Sequence, residues 1–109
     1  MEVIEIVRYV REDGTEPFTQ WLKTIRDTAA KANIAMRLRR IEAGNFGDSK
    51  PVGEGVSELR ITTGPGYRVY YGMHGALLVI LLCGGDKASQ SKDIARAKKF
   101  WMEWRRRQP

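Results

Sequence analysis

The residues best suited to chemistry in this sequence are cations and a carboxylate that lie between positions 58 and 90. Arg60 and Arg68 belong to two successive strand-like segments, and Asp86 and Lys87 follow a third. The planar guanidinium group of arginine binds two phosphate oxygens at once, so Arg60 and Arg68 are suited to hold a phosphodiester. Lys87 is a candidate to exchange protons at such a site, and Asp86 beside it is a candidate to orient Lys87 or to act as a base.

One metal-free reaction needs these residue types: the cleavage of RNA by attack of a 2′-hydroxyl on the adjacent phosphate. It requires a group that takes the hydroxyl proton, cations that stabilise the charge on the phosphorane, and a donor for the leaving 5′-oxygen. Arg60 and Arg68 would meet the second requirement. The residue types therefore make phosphodiester chemistry one hypothesis for this cluster.

Strand alternation predicts the directions of these side chains. Glu58 and Arg60 alternate with Leu59, so one face of that strand is charged and the other can belong to the core. After a glycine-proline turn, Arg68 and Tyr70 fall on the corresponding face of the next strand. The two strands are therefore predicted to share a cationic, aromatic face. Spacing alone also allows a simpler interpretation, in which this face is a solvated surface with an ordinary cross-strand ion pair.

Composition predicts a small soluble protein with a polyanionic partner. The 109 residues suit one domain, 1–109, and their 42% hydrophobic and 29% charged residues are typical of a globular protein. The formal net charge is +6, and residues 84–109 hold eight Lys or Arg against three Asp or Glu. Such a concentration of positive charge favours nucleic acid as partner, followed by an acidic protein segment. Without a long apolar run or a signal-peptide pattern, we expect a cytoplasmic location and no membrane partner.

The predicted elements follow the order β-α-α-(β)-β-β-β-α. Alternation predicts a first strand over residues 2–10, and apolar residues at helical spacing predict one helix capped by Thr15 and a second from about Ala30 to Gly44. Residues 44–55 are rich in glycine and predict a loop, with room for a short strand. Three strands and a closing helix are then predicted over residues 56–62, 67–73, 77–83 and about 89–104. The strand over 77–83 is apolar on both faces, which favours a central place in the sheet.

Several common catalytic motifs are missing from the sequence. It has no Gly-x-x-x-x-Gly-Lys phosphate loop, no metal-spaced pair of histidines or cysteines, and no Gly-x-Ser-x-Gly elbow. The single histidine, His74, falls in a predicted hairpin turn, and the single cysteine, Cys83, ends an apolar strand where burial is expected. Gly84 and Gly85 could leave room for a phosphate or simply end that strand. The sequence predicts neither a metal site nor a cofactor.

Four glycine-containing motifs occur in one order along the chain: Gly44-Asn45-Phe46-Gly47-Asp48, Gly55-Val56-Ser57-Glu58-Leu59-Arg60, Gly64-Pro65-Gly66-Tyr67-Arg68-Val69-Tyr70-Tyr71 and Gly84-Gly85-Asp86-Lys87. Together they resemble the HigB-like addiction-module killer proteins of the RelE/ParE toxin superfamily, over about residues 18–97. The resemblance implies a small α+β domain. Its sheet would be twisted and mainly antiparallel, with two N-terminal helices packed on one side and a C-terminal helix.

The same resemblance implies the toxin of a type II toxin-antitoxin system, a ribosome-dependent mRNA endoribonuclease that cuts at the decoding site and arrests translation. Its partners would be mRNA on the ribosome, ribosomal RNA, and a cognate antitoxin with a helix-turn-helix domain. The resemblance assigns catalytic roles to Arg68, which would stabilise the transition state, and to Lys87 and Asp86. The predicted RNA-binding residues are Arg60, Tyr70, Gln90 and Lys92.

Two points stay open within this resemblance. RelE-type members place an active tyrosine near the C-terminus, whereas no tyrosine follows Tyr71 here, so the base and the acid stay open among Tyr70, Asp86, Lys87 and Asp93. The superfamily also contains ParE-type inhibitors of DNA gyrase, which share the fold without cleaving RNA, and fold alone does not choose between them. A plain basic RNA-binding module is a third possibility.

Overall fold

The computed structural model describes residues 3–109, which form three helices and five strands. The helices are α1 (Pro17–Thr24), α2 (Thr28–Glu42) and α3 (Gln90–Arg106). The strands are β1 (Glu5–Arg8), β2 (Ser49–Gly53), β3 (Val56–Ile61), β4 (Tyr67–His74) and β5 (Leu78–Gly85). The chain is therefore an α+β domain in the predicted element order, and β2 is the short strand for which the predicted loop left room.

The five strands form one mixed sheet in the order β1-β5-β4-β3-β2. All neighbours are antiparallel except β1 and β5, which are parallel. Strand β5 lies inside the sheet with a neighbour on each side, as its apolar faces predicted. In the pairing of β3 with β4, Glu58 lies opposite Tyr70 and Arg60 opposite Arg68. The predicted grouping of these four side chains on adjacent strands is therefore confirmed.

Helices cover both faces of the sheet, and each face has its own hydrophobic cluster. On one face, side chains of α1 and α2 such as Phe18 and Ile34 pack with Leu59 and Val69 of the sheet. This confirms that the two N-terminal helices share one side. On the other face, α3 packs Phe100 and its neighbours against a second buried cluster. The interpretation of the Glu58 face as a solvated surface is therefore wrong, because α3 covers it.

The helix ends differ in part from the predicted ones. Pro17 begins α1 after Glu16, and the Thr15 hydroxyl donates to Asp13 Oδ1 at 2.7 Å, so the prediction that Thr15 caps α1 is wrong. Asp27 caps α2, since its Oδ1 accepts hydrogen bonds from the amides of Ala29 and Ala30.

No helix within residues 3–109 has both the length and the apolar composition to cross a bilayer.

Strand β1 is shorter than the predicted segment 2–10: it spans Glu5–Arg8, and Glu2 lies outside the described residues. Its neighbour β5 also departs from ideal geometry, because the register between β4 and β5 shifts between Tyr70 and Tyr71. Such a bulge bends the sheet locally and redirects side chains. It lies close to the cluster of polar residues that the sequence singled out.

Candidate functional site

The centre of the polar cluster is a buried carboxylate on β3. Glu58 has no exposed surface. Its Oε1 accepts a hydrogen bond from Arg68 Nη1 at 3.1 Å, and its Oε2 accepts bonds from Tyr70 Oη at 3.2 Å and from Gln90 Nε2 at 2.8 Å. Glu58 thus joins β3 to β4 and to the first residue of α3.

These hydrogen bonds explain how the charged carboxylate of Glu58 can lie in the interior. Removing an ion from water costs several kcal/mol, which is compensated only by close pairing and further hydrogen bonds. Glu58 has both, and the side chain of Arg68 is itself only 13% exposed. The Nε of Arg68 is buried and has no hydrogen-bond partner among residues 3–109. Arg68 is therefore held in one orientation by Glu58, and part of its donor capacity is unused.

Tyr70 supports this network from inside the protein. It is fully buried, and burial, reinforced by the nearby Glu58 carboxylate, raises the pKa of its hydroxyl. The phenol consequently stays neutral and donates to Glu58. The prediction that Tyr70 contacts RNA is wrong in this structure, because its ring and hydroxyl have no route to a ligand.

Arg60 lies at the outer end of the same strand pair. Its Nη2 and Nε donate to Asp48 Oδ1 at 2.8 and 3.0 Å, and both side chains are partly exposed. Arg60, Arg68 and Asp48 line a shallow depression of about 210 Å³ at this edge of the sheet, together with part of the β3–β4 turn. A larger depression of about 360 Å³ lies elsewhere, around Tyr9 and the end of α3.

Asp86 takes part in the turn that begins α3. Its Oδ1 accepts a hydrogen bond from the amide of Ser89 at 3.1 Å, while Ser89 Oγ lies 2.5 Å from Asp93 Oδ2. The carboxylate of Asp93 fills the space where a Cβ on Gly85 would lie, and the ring of Trp21 fills the space beside Gly84. The two glycines therefore admit protein side chains, and the interpretation that they leave room for a phosphate is wrong.

Lys87 is the exposed cation of this region. Its Cβ lies against Gly66, at the turn that leads into β4 and Arg68. Within residues 3–109, no carboxylate lies within ion-pair distance of Lys87. Lys92 is also exposed, in the first turn of α3. Of the predicted site residues, the structure thus gathers Arg60, Arg68, Asp86, Lys87 and Gln90 where β3, β4 and the start of α3 meet.

The remaining candidates are accounted for by packing. Cys83 is buried, as predicted, and burial raises the pKa of its thiol to about 12. His74 is exposed at the end of β4, where its ring meets the edge of Trp104. In the described part of the chain, no three His, Cys, Asp or Glu side chains are grouped so that they could hold a metal ion.

No protein-family model matches the chain. A protein of Haemophilus influenzae (strain ATCC 51907 / DSM 11121 / KW20 / Rd), described as an uncharacterized protein, is 52% identical over 84 residues, which are 77% of this chain and 85% of the relative. The chain belongs to the family of this Haemophilus protein. The matched segment has 84 of the 109 residues. Because it is so long, it includes β3 and β4 whichever residue it starts at. The region shared with the Haemophilus family therefore carries Glu58, Arg60 and Arg68.

The central role of Glu58 was missed from the sequence, which counted it only as a partner in a surface ion pair. One signal could have found it. Val56 lies two residues earlier on the same face of β3, and it is buried against α3. An apolar residue on that face indicates that the face is covered, and a carboxylate there must then be paired.

Proposed function

We propose that this protein is the toxin of a type II toxin-antitoxin system, a HigB-like member of the RelE/ParE superfamily that cleaves mRNA on the ribosome. The four ordered motifs support the family. The observation that carries the activity is the arrangement of Arg68, which is fixed by the buried Glu58 carboxylate and follows two residues after Gly66, the turn residue beside the exposed Lys87. Fixed cations at a phosphate usually make the largest single contribution to such a reaction.

In the proposed reaction the 2′-oxygen of a nucleotide forms a bond to the adjacent phosphorus, and the bond from phosphorus to the 5′-oxygen breaks. Arg68 stabilises the charge on the phosphorane, and Arg60 binds a neighbouring phosphate. Lys87 gives a proton to the leaving 5′-oxygen. Asp86 is the candidate that takes the proton of the 2′-hydroxyl, because its Oδ1 is used by the turn while its Oδ2 has no hydrogen-bond partner within residues 3–109.

The proposal includes the partners that such a toxin needs. The RNA is mRNA in the decoding site of the ribosome, and an antitoxin, expected to carry a helix-turn-helix domain, neutralises the protein. The net charge of +6 is consistent with a large polyanionic partner. The same proposal places the protein in the cytoplasm, where translating ribosomes are.

The test is to map the 5′ ends of ribosome-bound mRNA after brief expression without antitoxin. New ends at the decoding position are expected for the parent protein. Arg68→Ala and Lys87→Ala should each reduce cleavage by about 100-fold or more, whereas Lys23→Ala, which removes an exposed cation of α1, should not. Circular dichroism must show that the variants fold. Unchanged cleavage in both site variants would contradict the assignment.

A second candidate function is favoured by one observation: most potential proton-transfer groups at the site are already hydrogen-bonded inside the protein. Glu58 accepts three bonds, Tyr70 is buried, and Asp93 is paired with Ser89. Such a site is compatible with a ParE-type inhibitor that binds DNA gyrase and cleaves nothing. Inhibition of supercoiling by purified gyrase, with ribosome-bound mRNA left intact, would favour this function.

A further inference from the structure

A second shallow depression adjoins the one that Arg60 and Arg68 line. It has a volume of about 230 Å³, and it is bounded by α2 on one side and by the end of β3 on the other. The two depressions share Ile61 and Thr62, which line both. They therefore adjoin at the end of β3, and we call the two depressions together, from Arg60 and Arg68 to Arg37 and Arg40, the track.

Arginines line the track along its whole length, although the Glu58 carboxylate beneath it is paired with Arg68. Arg60 and Arg68 line the first depression, and Arg37 and Arg40 line the second. Asp48 is the carboxylate among the lining residues, and it is paired with Arg60. An excess of cations along a shallow surface fits a chain of phosphates better than a single small anion.

The cations of the second depression have different roles. Arg37 Nη1 donates to the carbonyl oxygen of Arg60 at 2.6 Å, so Arg37 fixes α2 against the end of β3. Arg40 is exposed, and within residues 3–109 its guanidinium donates only to the Met36 sulfur, a weak acceptor. Arg40 is therefore available to a ligand at the far end of the track.

Uncharged polar groups lie between the cations. Asn33 Nδ2 donates to Thr63 Oγ1 at 2.6 Å across the second depression, and Thr62 is exposed where the two depressions meet. Hydroxyl and amide groups of this kind bind sugar hydroxyls and the edges of unpaired bases. Cations that alternate with such groups match the chemistry of a nucleic-acid strand.

We propose that this track binds a single strand of RNA, which continues from the phosphate at Arg68 over Thr62 to Arg40 on α2. The inference rests on the proposed function, because it names the path of that function's substrate. A single strand can bend into two shallow depressions of this size and expose its bases, whereas a duplex keeps its bases paired and its backbone stiff.

The first test compares two neighbouring cations of α2. Binding of a fluorescein-labelled 2′-O-methyl octauridylate, which lacks the attacking hydroxyl, is followed by fluorescence anisotropy. Loss of one phosphate contact lowers the salt slope by about 0.7 and weakens binding about five-fold at 0.1 M salt. Arg40→Ala should show both effects. Arg39→Ala removes the same charge from an exposed residue that lines neither depression, and should change binding less than about two-fold.

The second test blocks the junction of the depressions. Thr62→Glu places a negative charge in the middle of the track and should weaken binding of the same oligonucleotide by about ten-fold or more. Thr28→Glu adds the same charge at an exposed position at the start of α2 and should leave binding nearly unchanged. Thermal unfolding of both variants must match that of the parent.

Binding and cleavage are scored separately, so the two proposals can fail separately. If the oligonucleotide binds with the expected dependence on Arg40 and Thr62 while ribosomal mRNA is not cut, the track stands and the proposed function fails. If mRNA is cut but each variant equals its control, the track is overturned. Absence of oligonucleotide binding at 50 mM salt also overturns it.

Discussion

At the scale of single residues, the buried Glu58 depends most on the groups that surround it. Its carboxylate is fully buried and has a cationic donor, a phenol and an amide around it. Because the cation is itself mostly buried, neither charge can be solvated if the other is removed. The pair therefore acts as one unit, and its value lies in fixing Arg68 more than in adding net stability.

Replacing Glu58 by glutamine should expose this dependence. Glu58→Gln retains the shape but leaves the buried guanidinium of Arg68 without a counter-charge, which should lower the free energy of unfolding by about 3 kcal/mol. Asp48→Asn is the matched control, since it removes the partner of the exposed Arg60 and should cost less than about 1 kcal/mol. Urea unfolding measures both. Equal losses would show that burial of the ion pair does not decide its contribution.

At the scale of the elements, two tryptophans fix the helices against strand glycines. The ring of Trp21 on α1 occupies the space beside Gly84 of β5, and the ring of Trp101 on α3 occupies the space beside Gly72 of β4. Any side chain at these glycines would overlap an indole ring. The close approach of helix and sheet on both faces therefore depends on glycine in β4 and β5.

Gly84→Ala should destabilise the protein by about 1 to 3 kcal/mol through overpacking against Trp21. The double variant Gly84→Ala with Trp21→Leu should lose less than the sum of the two single variants, because the smaller side chain gives way to the new methyl group. Gly14→Ala is the contrasting variant: φ at Gly14 is +86° and the space around it is open, so its cost is backbone strain without overpacking, whereas φ at Gly84 is not positive. Chemical denaturation gives all four values, and strict additivity would refute the overpacking argument.

The elements themselves were predictable because each has a local signal. Pro17 marks the start of α1, apolar residues at helical spacing mark α2 and α3, alternation marks β3 and β4, and an apolar run marks β5. The cap of α1 was not predictable, because Asp13 and Thr15 form their own hydrogen bonds in the preceding turn. Local signals establish which segments are helices and strands, but they do not establish which element covers which face.

The site was predictable only as a set of residues. Register followed from the short turn between β3 and β4, so the proximity of Arg60 to Arg68 could be inferred. The burial of Glu58 and Tyr70 could not be inferred in this way. It depends on α3, which is separated from β3 and β4 in the sequence by β5. The contact of Gln90 with Glu58 has the same origin.

At the scale of the whole molecule, the two layers differ in chemistry. The layer under α1 and α2 is mainly aliphatic. The layer under α3 contains three buried phenol or thiol groups with raised pKa values: Tyr9, Tyr70 and Cys83. Burial is the main cause in each case. It raises the pKa of Cys83 from 9.0 to about 12 and that of Tyr9 from 10.0 to about 12.

The three raised pKa values predict that the folded protein loses stability at alkaline pH. Below about pH 8 the folded and unfolded states hold the same protons on these groups, so they add no pH dependence. Above it, the unfolded state releases protons that the folded state keeps up to about pH 12. The free energy of unfolding should therefore fall as pH rises, by up to about 1.4 kcal/mol per pH unit for each group.

Urea unfolding at pH 8, 9, 10 and 11 measures this decline. Cys83→Ala removes the group with the lowest ordinary pKa of the three, so the loss of stability between pH 9 and pH 10 should be smaller in this variant than in the parent. The steeper loss above pH 10, which the tyrosines cause, should persist. A parent protein whose stability does not change between pH 8 and pH 11 would contradict the prediction.

The parallel pairing of β1 with β5 affects when the chain can fold during its own synthesis. Glu5 pairs with Leu78, and the helix that seals the Glu58 carboxylate follows later still. Contacts so distant in sequence form only after the intervening chain has been made. A nascent chain without β5 therefore lacks the pairing of β1 with the rest of the sheet, and one without α3 leaves Glu58 uncovered and without its bond from Gln90. The order of translation delays assembly of the site until α3 has emerged.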